Sequence, residues 1–153
     1  MSDDDRTLSL TRLLDAPREK IWRCWTEPKL LTPWFCPKPW RVTQAEMDVR
    51  PGGKSLIVME GPNGEVMPNP GTYLEVAPGR KLVFTDAFTE GFAPSQKAFM
   101  VGTIELADEA GKTRYTATVR HWTKEDREAH EKMGFYEGWG AATDQLEAFV
   151  KTI

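Results

Sequence analysis

The sequence predicts an α+β fold: a curved antiparallel sheet wrapped around a long C-terminal helix, with two short helices after the first strand. Three observations lead there. A strand-like segment and two short helical stripes open the chain, strand-like segments fill residues 40–122, and an amphipathic helical stripe closes it. The links between the strand-like segments are short and rich in Gly, Pro, Asn and Asp, which favours hairpins over crossovers. Strands in a run, followed by a helix rather than alternating with helices, indicate α+β organisation.

Each element has a local reason. In Thr7–Leu14, residues Leu8, Leu10 and Leu14 share one face, the period of a half-buried strand. Asp15-Ala16-Pro17 reads as a helix start, with Asp15 as cap and Pro17 tolerated in the first turn. Ile21, Trp22 and Trp25 form the stripe of that helix, and Pro28 interrupts it. Leu30, Leu31 and Trp34 make a second short stripe, ended by Cys36-Pro37-Lys38-Pro39 because proline cannot continue a helix.

Arg41–Val49, Lys54–Glu60, Gly71–Val76, Lys81–Phe88, Phe99–Leu106 and Thr113–Trp122 then read as strands, rich in Val, Ile, Thr, Phe and Tyr. Pro51-Gly52-Gly53, Gly61-Pro62-Asn63-Gly64, Pro78-Gly79 and Asp108-Glu109-Ala110-Gly111 are turns between them, and Glu90–Gln96 is a longer loop. Thr123-Lys124-Glu125-Asp126 opens a mostly polar helix that runs to Met133, and Gly134 breaks it. Phe135, Trp139, Ala142, Leu146, Phe149 and Ile153 recur at intervals of three and four, the stripe of a longer helix. A sheet with one buried face needs a cover, and this helix is the element long enough to give it. A strongly twisted sheet curling around one helix leaves a cavity between the two.

The composition narrows the function classes. A chain of 153 residues suits one domain spanning 1–153, and a domain of this size buries roughly 68–70% of its unfolded surface without a metal or disulfide staple. The net charge is −3, with no Lys/Arg stripe, which excludes the usual nucleic-acid footprint. No apolar run approaches the ~20 residues that span a bilayer. The opening Met1-Ser2-Asp3-Asp4-Asp5-Arg6 is the opposite of a signal peptide, so the expected compartment is the cytoplasm, and the acidic run is expected to be a solvated tail. Two cysteines and two histidines without paired spacing give no zinc signature, so no metal and no cofactor is expected. Cys24 and Cys36 read as reduced, packed thiols, Cys36 being the better candidate for a reactive one because it sits in a bend.

Candidate site residues come from strand alternation. Asp86 alternates with Leu82, Phe84 and Phe88, and His121 with Tyr115, Ala117 and Val119. If those faces line the cavity, a carboxylate and an imidazole sit in an apolar chamber suited to acid/base work; otherwise both lie at strand ends and cap loops. His130, among Arg127, Glu128 and Glu131, reads as a solvated surface residue. Trp34, Phe84, Phe88, Trp122, Phe135 and Trp139 are the candidate aromatic lining of a small-molecule pocket. Trp22 and Trp25 read instead as anchors of the first helix. Gly134, Gly138 and Gly140 mark either close packing or room for a ligand. Gly52-Gly53 is a tight turn and not a phosphate loop, since no Lys-Ser/Thr follows and no helix begins there.

Several stretches together carry a family resemblance. They are Asp15-Ala16-Pro17-Arg18-Glu19-Lys20-Ile21-Trp22, Leu31-Thr32-Pro33-Trp34-Phe35, Val49-Arg50-Pro51-Gly52-Gly53, Gly61-Pro62-Asn63-Gly64, Arg80-Lys81-Leu82-Val83-Phe84-Thr85 and Met133-Gly134-Phe135-Tyr136-Glu137-Gly138-Trp139. The chain resembles the START-like SRPBCC superfamily with its helix-grip fold, and within it the branch of the calicheamicin-resistance protein and the C-terminal domain of the Hsp90 ATPase activator. The resemblance implies binding of a small hydrophobic molecule, aromatic or polycyclic, between the terminal helix and the sheet. It leaves two alternatives: a cyclase or hydrolase using Asp86 and His121, and a chaperone-associated interaction module. The activator needs a further N-terminal domain to grip the chaperone, so chaperone contact is not expected of residues 1–153 alone. A homodimer is compatible with the sequence, and membrane insertion is not expected.

Overall fold

The computed structural model describes residues 3–153. Met1 and Ser2, the start of the expected tail, lie outside the described residues. Asp3–Arg6 is a short 3-10 turn and not a free tail. It is tied down by two backbone carbonyls: Asp5 accepts from Arg127 Nε at 3.0 Å and Arg6 from His121 Nδ1 at 2.8 Å.

The chain then runs β1 (Thr7–Leu14), α1 (Arg18–Thr26), α2 (Pro28–Leu31), β2 (Arg41–Met47), β3 (Lys54–Glu60), β4 (Val66–Ala77) and β5 (Lys81–Thr85). A two-residue hairpin of β6 (Phe88–Thr89) and β7 (Ala93–Pro94) follows, and then β8 (Met100–Glu109), β9 (Lys112–His121), α3 (Lys124–Lys132) and α4 (Phe135–Val150). Seven strands form one antiparallel sheet in the order β1-β9-β8-β5-β4-β3-β2. The expected α+β architecture is present: a twisted sheet with a long C-terminal helix on its inner face and two short helices after the first strand.

Local chemistry explains the boundaries that differ from expectation. β4 begins at Val66, although Pro68 and Pro70 argue against a strand there. Residues 66–71 pair with β3, whereas β5 pairs only from Thr72 onward. That half of β4 is therefore an edge, where a proline that cannot donate is tolerated. β5 stops at Thr85 and does not reach Phe88, because the Thr85 hydroxyl accepts from the Ala87 amide (3.1 Å) and turns the chain outward. Phe88 thus leaves the main sheet for the small β6–β7 hairpin inside the expected 90–96 loop.

The start of α1 also differs. Pro17 holds the cap position with no side-chain cap bond, so Asp15, two residues earlier, does not cap. The Asp15 amide instead donates to Glu147 on α4 at 2.9 Å. Glu27 separates α1 from α2 in an extended conformation, as the steric demand of Pro28 requires. α2 ends at Leu31, leaving Trp34 in the turn that follows rather than on a helical stripe. In α3 the expected cap holds: the Thr123 side chain accepts from the Asp126 amide at 3.0 Å. Gly134, at φ 97°, is the break before α4.

The core lies where α1 and α4 press on the sheet. Leu82, Ile104, Leu106, Tyr115 and Ala117 face inward from β5, β8 and β9, and Ile21, Trp25, Leu146 and Val150 meet them from the helices. Buried Thr113 donates to the Ala16 carbonyl at 2.7 Å, fixing the turn into α1 without leaving a polar group unpaired. Of the two helical glycines, Gly140 lies where a Cβ would stand 3.1 Å from Arg12 Nη2, and Gly138 beside Pro37. At Gly140 a Cβ would press only on the flexible end of Arg12, and at Gly138 it would make ordinary contact with Pro37 at 3.8 Å.

Candidate functional site: an aromatic interior and a histidine pair

The interior beneath α4 is aromatic. Trp25 stacks on Phe84 (centroids 5.8 Å, 27° between planes) and meets Trp34 edge-on at 5.2 Å and Phe35 at 5.8 Å. Phe84 lies flat over Gly102, where a Cβ would come within 2.5 Å of its ring. Trp34 is 2% exposed. Its loop is clamped to α4 by Gln145, whose Nε2 donates to the carbonyls of Trp34 (2.9 Å) and Cys36 (2.8 Å). Trp139 packs against the same cluster from α4.

The polarity of this interior is unbalanced. Among the described residues, the indole N–H of buried Trp34 has no hydrogen-bond partner, and that of Trp25 has the Tyr115 hydroxyl beside it without a well-formed bond. A buried donor left unpaired costs ~1–3 kcal/mol, and the Trp34 indole bears that cost whole. Burial pushes the Tyr115 phenol up, so it stays a neutral donor.

Strand alternation points His121 inward with Tyr115, Ala117 and Val119, as expected, and it is 2% exposed. Both of its ring nitrogens are committed. Nδ1 lies 2.8 Å from the Arg6 carbonyl and Nε2 lies 2.9 Å from His130 Nδ1. A carbonyl only accepts, so Nδ1 carries the hydrogen and, in the neutral pair, Nε2 accepts from His130. His130 is therefore not a solvated surface residue. It is half-buried, with its ring 5.2 Å from Phe99 and 5.3 Å from Phe135. Burial, and then the charge of His121 beside it, push its pKa down to about 4.

Asp86 sits at the bend after β5 and accepts from the amides of Phe99 (2.9 Å) and Met100 (3.1 Å) through one oxygen, Oδ1. Asp86 and His121 flank Phe99, but no hydrogen bond joins them; each has its own partners. The other candidates divide likewise. Trp34, Phe84 and Trp139 belong to the aromatic interior, and Phe135 stacks on Trp139 (5.2 Å, 28°) towards the histidine end. Phe88 contacts Phe92 in the small hairpin. Trp122, one residue beyond inward-facing His121, is 47% exposed and borders a cleft of about 170 Å³ that Arg6, Val101, Arg120 and His121 also line. A second cleft, of about 330 Å³, lies by Lys54, Leu56, Gly71 and Glu90. Cys24 and Cys36 are buried, and burial pushes both thiols up, Cys24 to about 11, which opposes thiolate reactivity.

Among the described residues, no group of three or more His, Cys, Asp and Glu side chains is placed to hold a metal ion, and no helix is long and apolar enough to cross a membrane. Sequence reasoning did not single out Trp25, Gln145 or His130 for the site. Trp25 was visible as a helix-stripe residue. The other two act through tertiary contacts that no local period reports.

Comparisons with known proteins place the geometry. The model of one family, described as Activator of Hsp90 ATPase homolog 1-like protein, matches residues 15–151. No curated protein matches the chain. Among solved structures, a protein from Nitrosomonas europaea is 42% identical, with a TM-score of 0.96 over 99% of this chain and 97% of that one. A Mycobacterium smegmatis protein is 27% identical, with a TM-score of 0.80 over 96% and 91% of the two chains. A Rhodobacter sphaeroides protein at 21% identity shares the fold, with a TM-score of 0.86 over 100% and 97%.

Proposed function

The chain belongs to the family of Activator of Hsp90 ATPase homolog 1-like proteins, and from that premise we propose that it binds a small aromatic molecule carrying an acceptor oxygen, between α4 and the sheet. One observation carries the reading. The buried indole N–H of Trp34 has no hydrogen-bond partner among the described residues, and the neighbouring Trp25 indole has the Tyr115 hydroxyl beside it without a well-formed bond. A ligand carbonyl or ether oxygen would satisfy one or both donors, and its ring would stack where Phe84 now covers Trp25. The partly buried rings of Phe35, Phe84 and Trp139 are the ones that must give way to admit it. Acid/base catalysis has no such support, since Asp86 is engaged by two amides and both nitrogens of His121 are bonded.

Coumarin, a soluble bicyclic ring with a carbonyl, and naphthalene, its oxygen-free counterpart, make the test. The indole correlations of ¹⁵N-labelled protein are followed during titration with each. Coumarin is expected to move the Trp25 and Trp34 indole signals saturably, and naphthalene to move them less. Trp25→Phe with Trp34→Phe should remove the preference for coumarin. Indole signals of both residues that stay fixed throughout the coumarin titration sink the reading.

A further inference from the structure

We propose that the His121–His130 pair is an acid-released latch that holds α3 against the end of the sheet. The inference is independent of the ligand reading. Its basis is an asymmetry in how α3 is attached. α3 buries no residue fully, and His130, between Phe99 and Phe135, is its ring contact with the core side. Two polar ties join it to the N-terminal turn and to β9. His130 bonds His121 at 2.9 Å, and Arg127 Nε donates to the Asp5 carbonyl at 3.0 Å. At its C-terminal end stands Gly134 in a left-handed conformation, φ 97°, a joint between α3 and α4.

The proton inventory of the pair gives the latch its sense. In the neutral pair His121 donates from Nδ1 to the Arg6 carbonyl and accepts at Nε2 from His130. One added proton is tolerated, because the two facing nitrogens still share a single hydrogen. A second proton puts N–H opposite N–H, so the bond is lost and two like charges face each other. Burial between Phe99 and Phe135 opposes that second charge while the latch is closed. His130 accordingly holds its proton only near pH about 4 when folded, against 6.5 ordinarily. A depressed histidine pKa means that the open form binds more protons than the closed one. The stability of the closed latch is therefore full above about pH 6.5 and is lost progressively towards pH 4.

Charged groups stand on every element around the pair. They are Asp5 and Arg6 on the N-terminal turn, Asp86 across Phe99, Arg120 beside His121 in β9, Glu137 on the first turn of α4, and Asp126, Arg127, Glu128 and Glu131 on α3. Glu128 pairs with Arg127 Nη2 at 3.9 Å and Glu131, the nearer partner, with Nη1 at 2.6 Å, so Glu131 is the acid that bears most directly on the same attachment. It must be separated from the histidines by experiment.

The test is hydrogen exchange of the full chain, corrected for intrinsic rates, with imidazole NMR on the same samples between pH 7 and 4. For wild type, exchange in residues 124–132 is expected to rise by up to about tenfold per pH unit below 6.5, while exchange in α4 changes less than twofold. The proton contact between His130 and Phe99 should fade in the same transition. His130→Gln should make exchange in α3 faster at pH 7 and remove its dependence on pH. Glu131→Gln should leave the wild-type transition in place. The proposal is overturned if α3 stays as protected at pH 4 as at pH 7, or if Glu131→Gln abolishes the transition while His130→Gln retains it.

Discussion

α4 and α3 are held by opposite kinds of force. α4 is packed along its length, with Phe135 buried against Leu8 and Val119 at its start and Leu146 and Val150 on an aromatic centre built from Trp25, Trp34, Phe84 and Tyr115 at its end. α3 buries no residue of its own and is tied by a histidine pair and an arginine–carbonyl bond. Packing of the first kind is cooperative and indifferent to pH; attachment of the second kind is local and titratable. The contrast teaches that a single face of the sheet carries both a rigid floor and a releasable edge.

The largest effect should come from the floor. Trp25→Ala removes the ring that touches Trp34, Phe35 and Phe84 together. Truncation of a buried aromatic costs ~3–5 kcal/mol. Denaturant unfolding should show that loss at pH 7 and at pH 5 alike, since no ionisable group is removed. A loss below about 1 kcal/mol would mean that the aromatic centre does not carry the stability assigned to it.

An intermediate effect belongs to Gly102. A Cβ there meets Phe84 at 2.5 Å. Phe84 can turn away only by giving up its stack on Trp25. Gly102→Ala should cost ~1–3 kcal/mol as overpacking, and shortening the ring in the double variant with Phe84→Leu should recover part of it. A double variant no more stable than Gly102→Ala alone would place the strain elsewhere.

The same contrast explains what the sequence discloses. β1 falls on its expected residues because period-two patterning reports a half-buried strand directly, and β3 because an apolar Leu56–Met59 run stands between turn residues. The inward direction of His121 follows from the same period. His130 was not legible, because its helix neighbours Arg127, Glu128 and Glu131 are charged and α3 has no apolar stripe to define an inner face. Its burial comes from Phe99 and Phe135, which are remote in sequence from its own turn or lie across a helix break. Trp25 was read as a helix anchor and is also the hub of the interior, since helical spacing gives a face but not what that face meets. The edge half of β4 was hidden by Pro68 and Pro70, which argue against a central strand and are silent about an edge.

The smallest global effect should come from Thr123, and it separates the two regions most sharply. Its side chain caps α3 by accepting from the Asp126 amide at 3.0 Å. Thr123→Ala should cost α3 ~1 kcal/mol, which raises exchange in residues 124–132 about fivefold. If α3 opens independently of the aromatic centre, that cost stays local and the melting temperature hardly moves. If α3 instead unfolds with the rest, the same cost appears globally as a fall of about 2–4 °C, and exchange in α4 rises in step. Calorimetry and hydrogen exchange on this one variant therefore decide whether the edge is releasable or is part of the floor.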